Sequence, residues 1–350
     1  MKTMNRDKTD ILLLFGGQSA EHPISIRSAR AVISNLDRDR YRIELVYIHR
    51  NGHWSRLSGP DFTEAELETL PAQAPAPWGP HRSTPVFPFQ DLSPDIVFPI
   101  LHGPNGEDGR LQGYLQMLGI PFVGCTSVGS MLAMDKGLSK GMSQLAGIPV
   151  VGYQVFNRGE ENMAAAVNRA FTYPVFVKPC NLGSSVGISR VDRPEALDSA
   201  LSLALEHDER IIVEQGIPVR EIELSVLGRY PDIRVSAPGE LMPHNAFYDF
   251  NDKYVDGQTT FSLPAPLTPD QTQEAQNLAR EAYRIHQLDG FARVDLFLHK
   301  ETGRFYLNEI NTIPGFTEIS MFPKLWQLEG ISFPVLLDTL IQLGFETTGS

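Results

Sequence analysis

The 350-residue chain is poor in cysteine: Cys125 and Cys180 are its only two, far apart in sequence. That spacing matches neither a metal-binding pair nor a disulfide framework, and it suits a reducing compartment. Positive charge is also scarce, with 30 Lys and Arg against 42 Asp and Glu, a formal net charge of −12. The clustered basic footprint of a nucleic-acid binder is therefore missing. No apolar run approaches the roughly 20 residues of a membrane span. Met1–Asp10 is polar, and Ile11–Phe15 is too short for the apolar core of a signal peptide. Internal repeats and low-complexity tails are absent as well. These absences point to a cytoplasmic protein that meets neither nucleic acid nor membrane. What is present is ordinary globular material: 42% apolar residues in a chain long enough for two or three domains.

Residues 1–134 alternate strand and helix. ILLLFGG reads as a strand entering a glycine turn, PISIRSARAVISNL as a helix and YRIELVYIHR as a strand. Pro23 fits the first helical turn, where a missing N–H costs nothing. The alternation predicts an α/β domain with a mostly parallel, Rossmann-like sheet. After a Pro- and Ala-rich excursion, Leu70–Pro88, that sheet resumes at Asp95–Leu101 and near Ile120–Val123. The glycine turn lacks the G-x-G-x-x-G spacing of a dinucleotide site. Residues 135–228 read as a smaller α+β unit. It comprises a helix at Lys136–Ala146, strands at Pro174–Lys178 and Val186–Val191 around a glycine-rich loop, a helix at Arg193–Leu205 and a strand at Arg210–Glu214. Residues 229–350 carry a polar loop at 243–262, a helix at Pro269–Leu288, a hairpin and a closing helix.

The hairpin reads FARVDLFLHKETGRFYLNEINTIPG. Phe291–Lys300 and Arg304–Ile310 predict two strands joined by Glu301-Thr302-Gly303, a common three-residue connection. That register sets Asp295 opposite Glu309 and Arg293 opposite Asn311, all on one face. Opposed carboxylates repel unless a cation lies between them. Oxygen ligands of this kind suit Mg²⁺, whose shell is completed by water and nucleotide phosphates. The bland alternative is a surface charge cluster on an ordinary hairpin.

Other segments carry chemistry of their own. In VKPCNLGSSVGIS, Lys178 ends a strand and Gly183–Gly187 turns into the next. Successive small residues expose backbone N–H groups to an anion, and the lysine adds a point charge. The Walker ending G-K-[ST] is missing, and a flexible glycine-serine hairpin is the alternative. Lys136 opens a helix, where a cation opposes the helix dipole, which favours a phosphate partner. Glu214-Gln215-Gly216-Ile217 suits a hinge presenting backbone to an adenine, with Glu221 on ribose hydroxyls; solvated glutamates are the alternative. Glu21 lies beyond the carboxyl end of the first strand, where open α/β sheets bind ligands. It either caps the following helix or holds an ammonium group, while the helix N-terminus receives a carboxylate. His102–Gly109 is a loop containing a histidine and two acids, a composition suited to function. The loop at 243–262 is long enough for a lid that brings Lys253 and Tyr254 over a site.

In order along the chain, GGQSAEHPIS, LHGPNGEDG, VKPCNLGSSVGIS, YDFNDKY, GFARVD and NEINTIPGFTEIS resemble the D-alanine–D-alanine ligase family of the ATP-grasp superfamily. The resemblance covers nearly the whole chain. It implies a three-domain ATP-grasp fold and an ATP-dependent ligation of two D-alanine molecules through D-alanyl phosphate, a step in making peptidoglycan precursors. It implies ATP contacts from Lys136, Lys178, Ser185, Glu214, Ile217, Glu221 and Lys253. It implies two Mg²⁺ ions, replaceable by Mn²⁺, on Asp295, Glu309 and Asn311, with Glu309 bridging. Glu21 would bind the ammonium of the first D-alanine in a triad with Ser184 and Tyr254, and His102 would join the catalytic set. Arg293 and the Gly315 N–H would form the oxyanion site, and Ser320 would take the second carboxylate. The Lys253-Tyr254 pair is missing from lids of the D-alanine–D-lactate ligases. D-lactate or D-serine as acceptor is the alternative. Cys180 and Phe250 depart from the family pattern beside the functional positions. A homodimer is implied too.

Overall fold

A computed structural model describes residues 8–57, 92–242 and 260–348. The excursion expected at Leu70–Pro88 lies outside these residues, as does most of the expected lid, Lys253 and Tyr254 included.

The first sheet contains β1 (Thr9–Gly16), β2 (Tyr41–Ile48), β3 (Trp54–Leu57) and β4 (Ile96–Ile100) in the order β3-β2-β1-β4. β1 runs parallel to β2 and β4, whereas β3 is an antiparallel edge strand that the sequence reading did not foresee. Ile11 to Phe15 are all buried, as expected for a parallel strand covered on both faces. Helix α1 (His22–Asn35) follows β1, and α2 (Arg110–Met117) and α3 (Ser127–Met134) follow β4. Near Ile120–Val123 there is only a single bridge, Val97 to Phe122, instead of the expected strand. The chain turns away at Gly124 (φ 124°) towards Thr126, which caps α3.

The central unit holds α4 (Lys136–Leu145), β5 (Tyr153–Asn157), α5 (Met163–Ala170), β6 (Val175–Pro179), β7 (Ser189–Val191), α6 (Leu197–His207) and β8 (Arg210–Gln215). Its antiparallel sheet has the order β5-β8-β6-β7. β7 begins at Ser189 instead of Val186. Ser184, Ser185 and Gly187 adopt left-handed φ values of 50°, 60° and 69°, which keep the glycine loop out of extended conformation.

The largest sheet contains β9 (Val219–Arg229), β10 (Asp232–Val235), β11 (Gly239–Met242), β12 (Thr260–Ser262), β13 (Phe291–His299) and β14 (Phe305–Asn311). Its order is β12-β11-β9-β13-β14, with β10 on β9. The division expected at 228/229 needs correction, because β9 belongs to this sheet and not to the central one. Ile222, Leu224 and Val226 on one face of β9 fill a core with Ala275, Ala279 and Ala282 of α7 (Pro269–Ile285). The chain ends in α8 (Met321–Leu328) and α9 (Phe333–Thr348). Phe322, Trp326, Leu336, Leu337 and Ile341 of these helices share one core with Ile11, Leu13 and Phe15 of β1. The last segment thus returns to the first sheet and closes the molecule around the site. Among the described residues, no single helix is long and apolar enough to cross a membrane.

Gly16 ends β1 with φ 95°, and a Cβ there would meet the Ile48 carbonyl oxygen at 2.3 Å. Gly16→Ala combines a left-handed strain with a backbone clash, so it should cost roughly 2 kcal/mol or more. A urea midpoint equal to that of the parent chain would show that the turn accepts a side chain.

Candidate active site

The hairpin reaches its facing by a route that the sequence reading did not foresee. The His299 N–H donates to the Arg304 carbonyl at 3.0 Å. Four residues, Lys300–Gly303, therefore form the loop instead of three. From that end the pairs are Leu298–Phe305, Phe297–Tyr306 and Leu296–Leu307. Continued unchanged, this register would pair Val294 with Glu309 and turn Glu309 towards the core. A bulge at Asn308 absorbs the extra residue, and the pairs become Asp295–Glu309, Val294–Ile310 and Arg293–Asn311. On the other side of β13, Glu223 lies opposite Asp295 and Ser225 opposite Arg293. Glu223, Asp295 and Glu309 therefore form a row of carboxylates across three adjacent strands.

Arg293 neutralises part of that row. Its Nε and one terminal nitrogen donate to the two Asp295 oxygens, both at 2.7 Å, and Nε lies 3.0 Å from Glu223 Oε2. Burial alone would lower the guanidinium pKa, but Asp295 and Glu223 raise it well above its usual value. Asn311 Nδ2 donates to Asp295 Oδ2 at 2.9 Å, which leaves its Oδ1 for a cation. Glu223 was missed from the sequence, although strand alternation puts it on the same face as Glu221.

Lysines approach from the central unit. Asp135 caps α4 by accepting from the Leu138 N–H at 2.9 Å and pairs with Arg210. Its charge offsets Lys136 at the positive end of the helix. Lys136 Nζ donates to the Leu182 carbonyl at 2.6 Å and lies 3.8 Å from Glu309 Oε2. Lys178 donates to Glu214 Oε2 at 2.8 Å. A further lysine, Lys140, was also missed. It sits one turn along α4 from Lys136 and is 1% exposed, with Nζ 3.2 Å from Glu214 Oε1. Burial would push the Glu214 pKa up, but Lys140 and Lys178 pull it down to about 2. The Glu214 carboxylate thus faces lysines, and the chain beyond it forms the hinge at 215–217. Gln215 Nε2 donates to the Thr172 carbonyl at 2.7 Å, and a Cβ on Gly216 would lie 2.6 Å from the Pro174 carbonyl oxygen. Ile217 is half-buried in this hinge, and Glu221 follows on β9, opposite Phe297.

Because β1 and β4 are parallel neighbours, the loops after them meet. Glu21 makes no capping bond to α1; its Oε1 accepts from the Ser184 hydroxyl of the glycine loop. A Cβ on Gly103 or Gly183 would lie 2.7 or 3.1 Å from Glu21 Oε2, so these two glycines make room for the carboxylate. His102 is buried, which lowers its pKa. Its Nδ1 lies 2.8 Å from the Ile313 carbonyl and its Nε2 3.1 Å from Ser28 Oγ. A carbonyl can only accept, so this network assigns the proton to Nδ1. Glu107 accepts from the Gly103 and Ile313 N–H groups at 2.7 and 2.9 Å. Burial, and then the nearby Glu21, push its pKa up to about 8. Beyond Ile313, Gly315 and Ser320 converge: a Cβ on Gly315 would lie 3.1 Å from Ser320 Oγ, which accepts from the Thr317 N–H at 3.0 Å.

Among the described residues, no three His, Cys, Asp or Glu side chains form a ready cage for a metal. The set Asp295, Glu309 and Asn311 is all-oxygen and incomplete, which fits Mg²⁺ or Mn²⁺ sharing its shell with phosphates and water.

Family models described as "D-ala D-ala ligase N-terminus" and "D-ala D-ala ligase C-terminus" match residues 10–125 and 142–342. A D-alanine–D-alanine ligase of Thermoanaerobacter sp. (strain X514) is 44% identical over 97% of this chain and 98% of its own length. One from Deinococcus radiodurans is 43% identical over 97% and 99%. Among solved structures, the D-alanine–D-alanine ligase of Coxiella burnetii superposes with a TM-score of 0.84 at 34% identity, covering 98% of this chain and 96% of that one. The VanG D-Ala:D-Ser ligase of Enterococcus faecalis gives 0.83 at 33%, covering 96% and 99%.

The Glu214 carboxyl has its pKa depressed to about 2 in the folded chain, against roughly 4.3 when unfolded. Its contribution to stability is therefore complete above the unfolded value and lost as pH falls towards the folded one. Glu214→Gln should lower stability at neutral pH and flatten its acid dependence. Urea midpoints from neutral to strongly acidic pH test this, and an unchanged acid slope would show that the lysines do not hold the carboxylate.

Proposed function

The chain belongs to the D-alanine–D-alanine ligase family and is an ATP-dependent ligase of the ATP-grasp fold, and we propose how its residues divide the work of joining two D-alanine molecules. The carrying observation is that Arg293, Asp295, Glu309 and Asn311 share one sheet face while Lys136 reaches Glu309 on it from the central unit. The ATP phosphates lie along the glycine loop, against its backbone N–H groups and Ser185, with Lys136, Lys178 and the lid's Lys253 supplying charge. The hinge at 215–217, which includes Ile217, takes the adenine beside Glu214, and Glu221 takes the ribose. Asp295, Glu309 and Asn311 would hold Mg²⁺, or Mn²⁺ in its place, through their side-chain oxygens. When bound, these ions supply positive charge to the transferring phosphoryl group.

Glu21, set by Ser184 and joined by the lid's Tyr254, binds the ammonium of the first D-alanine. The D-alanine carboxylate attacks the γ-phosphorus, giving D-alanyl phosphate and ADP. The amine of the second D-alanine then attacks the acyl carbon. Arg293 and the Gly315 N–H stabilise the oxyanion that forms there, and Ser320 receives the second carboxylate. Phosphate leaves and D-alanyl-D-alanine, a peptidoglycan precursor, is released. His102 serves as a neutral ring beside Glu21, because burial holds its pKa down. D-lactate or D-serine as acceptor is the second reading. The D-serine ligase from Enterococcus faecalis, at 33% identity, gives it less support than relatives above 40% named for D-alanine.

We further read the three sheets as the basis of three domains. The cytoplasm suits the two buried free thiols, Cys125 and Cys180. A homodimer suits the exposed Met117, Leu118, Val128 and Met131 on and beside α2 and α3.

Phosphate release from ATP should occur with D-alanine and stay near background with L-alanine, D-lactate or D-serine as acceptor at neutral pH. A D-lactate or D-serine rate above that for D-alanine would reassign the acceptor. Glu309→Gln should keep the fold and reduce turnover roughly 100-fold or more, the scale of losing one charge-stabilising group in a transition state. Turnover like that of the parent chain would remove Glu309 from the metal site.

A further inference from the structure

Lys140 is a fully buried cation that the ligation chemistry does not require. It reaches no position assigned to ATP phosphates or to either D-alanine. Its ammonium has three oxygen neighbours: it donates to the carbonyl acceptors Asn308 O at 3.1 Å and Leu307 O at 3.4 Å, and forms an ion pair with Glu214 Oε1 at 3.2 Å. Two of these acceptors are the carbonyls at the β14 bulge, where the regular ladder is interrupted. The third belongs to β8 of the central sheet.

We propose that Lys140 is a positioning residue that holds the Asn308 bulge and so keeps Glu309 opposite Asp295. The four-residue loop sets one register and the site needs another. Without the bulge, Val294 would pair with Glu309, and the Glu309 carboxylate would turn towards Leu296 and Leu307 in the core. Burial of Ile310 favours the bulged register, but a bulge leaves backbone carbonyls to be satisfied away from water. Lys140 satisfies them with a charged donor, the stronger kind, and Glu214 compensates the charge. The hinge strand and the metal-binding strand are thereby tied through one side chain. This inference rests on the reading of Asp295, Glu309 and Asn311 as a metal site.

The test is Mn²⁺ binding to the full chain without nucleotide, followed by electron paramagnetic resonance. The parent chain should bind Mn²⁺ and Glu309→Gln should weaken that binding; no binding by the parent would overturn the metal reading and this inference with it. With the parent binding, Lys140→Met should weaken Mn²⁺ about tenfold, and a change below threefold in a folded variant would overturn the role of Lys140 alone. A merely structural lysine would lower the melting temperature without moving Mn²⁺ affinity. Deleting Asn308 removes the bulge while leaving Glu309 next in line opposite Asp295. In that background Lys140→Met should no longer affect Mn²⁺ binding. If Lys140→Met alone does not fold, the deletion should restore folding, and failure to restore it would overturn the proposal.

Discussion

Everything at the site leans on the buried carboxylate of Glu214 between Lys140 and Lys178. It fixes Lys178, the lysine we propose for the phosphates, and Lys140, which reaches the bulge that sets the hairpin. Breaking a buried pair by removing one partner costs on the order of 3–5 kcal/mol, because the remaining charge is stranded. Exposed pairs such as Arg284–Glu281 or Arg56–Glu44 are screened by water and salt and contribute little. The many surface ion pairs therefore matter little beside this one. It also joins α4, β6 and β8 to β14, elements of two different sheets.

Around that contact the side-chain charges nearly cancel. Glu214, Glu223, Asp295 and Glu309 face Lys136, Lys140, Lys178 and Arg293. A polyphosphate entering a cluster already neutral would add negative charge that only further cations could offset. On the proposed reading, a divalent cation would compete with Arg293 for the two oxygens of Asp295. A metal that takes one of them still leaves the guanidinium beside Glu223, 3.0 Å away. Glu223 thus gives Arg293 a second anchor beside Asp295, which suits the oxyanion role we propose for it.

The shared face of Arg293 and Asp295 was legible because β13 alternates regularly, whereas Glu309 joins that face through a bulge and not through the expected three-residue loop. The loop length was not legible, since no turn-forming residue marks the end of the strand before Gly303. The bulge left a trace all the same: in FYLNEIN the core residues Phe305, Leu307 and Ile310 are spaced by two and then by three. Lys140 could be placed on the face of Lys136 by its helical spacing, but no sequence pattern separates a lysine in a core from one in water. β9 was assigned to the wrong unit because chain order does not name a sheet partner. Its pairing is decided by Ile222, Leu224 and Val226, which needed a helix from much later in the chain to cover them. The return of α8 and α9 to the first sheet was hidden for the same reason.

Glu21 shows how one contact can set two subsites. Left-handed serines cost roughly 1–3 kcal/mol each unless their surroundings fix them, and Ser184 is fixed by donating to Glu21 Oε1. The same carboxylate turns Oε2 towards the gap between Gly103 and Gly183, where any side chain would intrude. An ionised carboxylate accepts several hydrogen bonds, so an ammonium at Oε2 need not displace the serine at Oε1. On the proposed reading, that ammonium would share the Glu21 carboxylate with the loop that carries Ser184 and Ser185. Occupancy of the proposed amino-acid site and the shape of the proposed phosphate loop would then be linked through a single side chain.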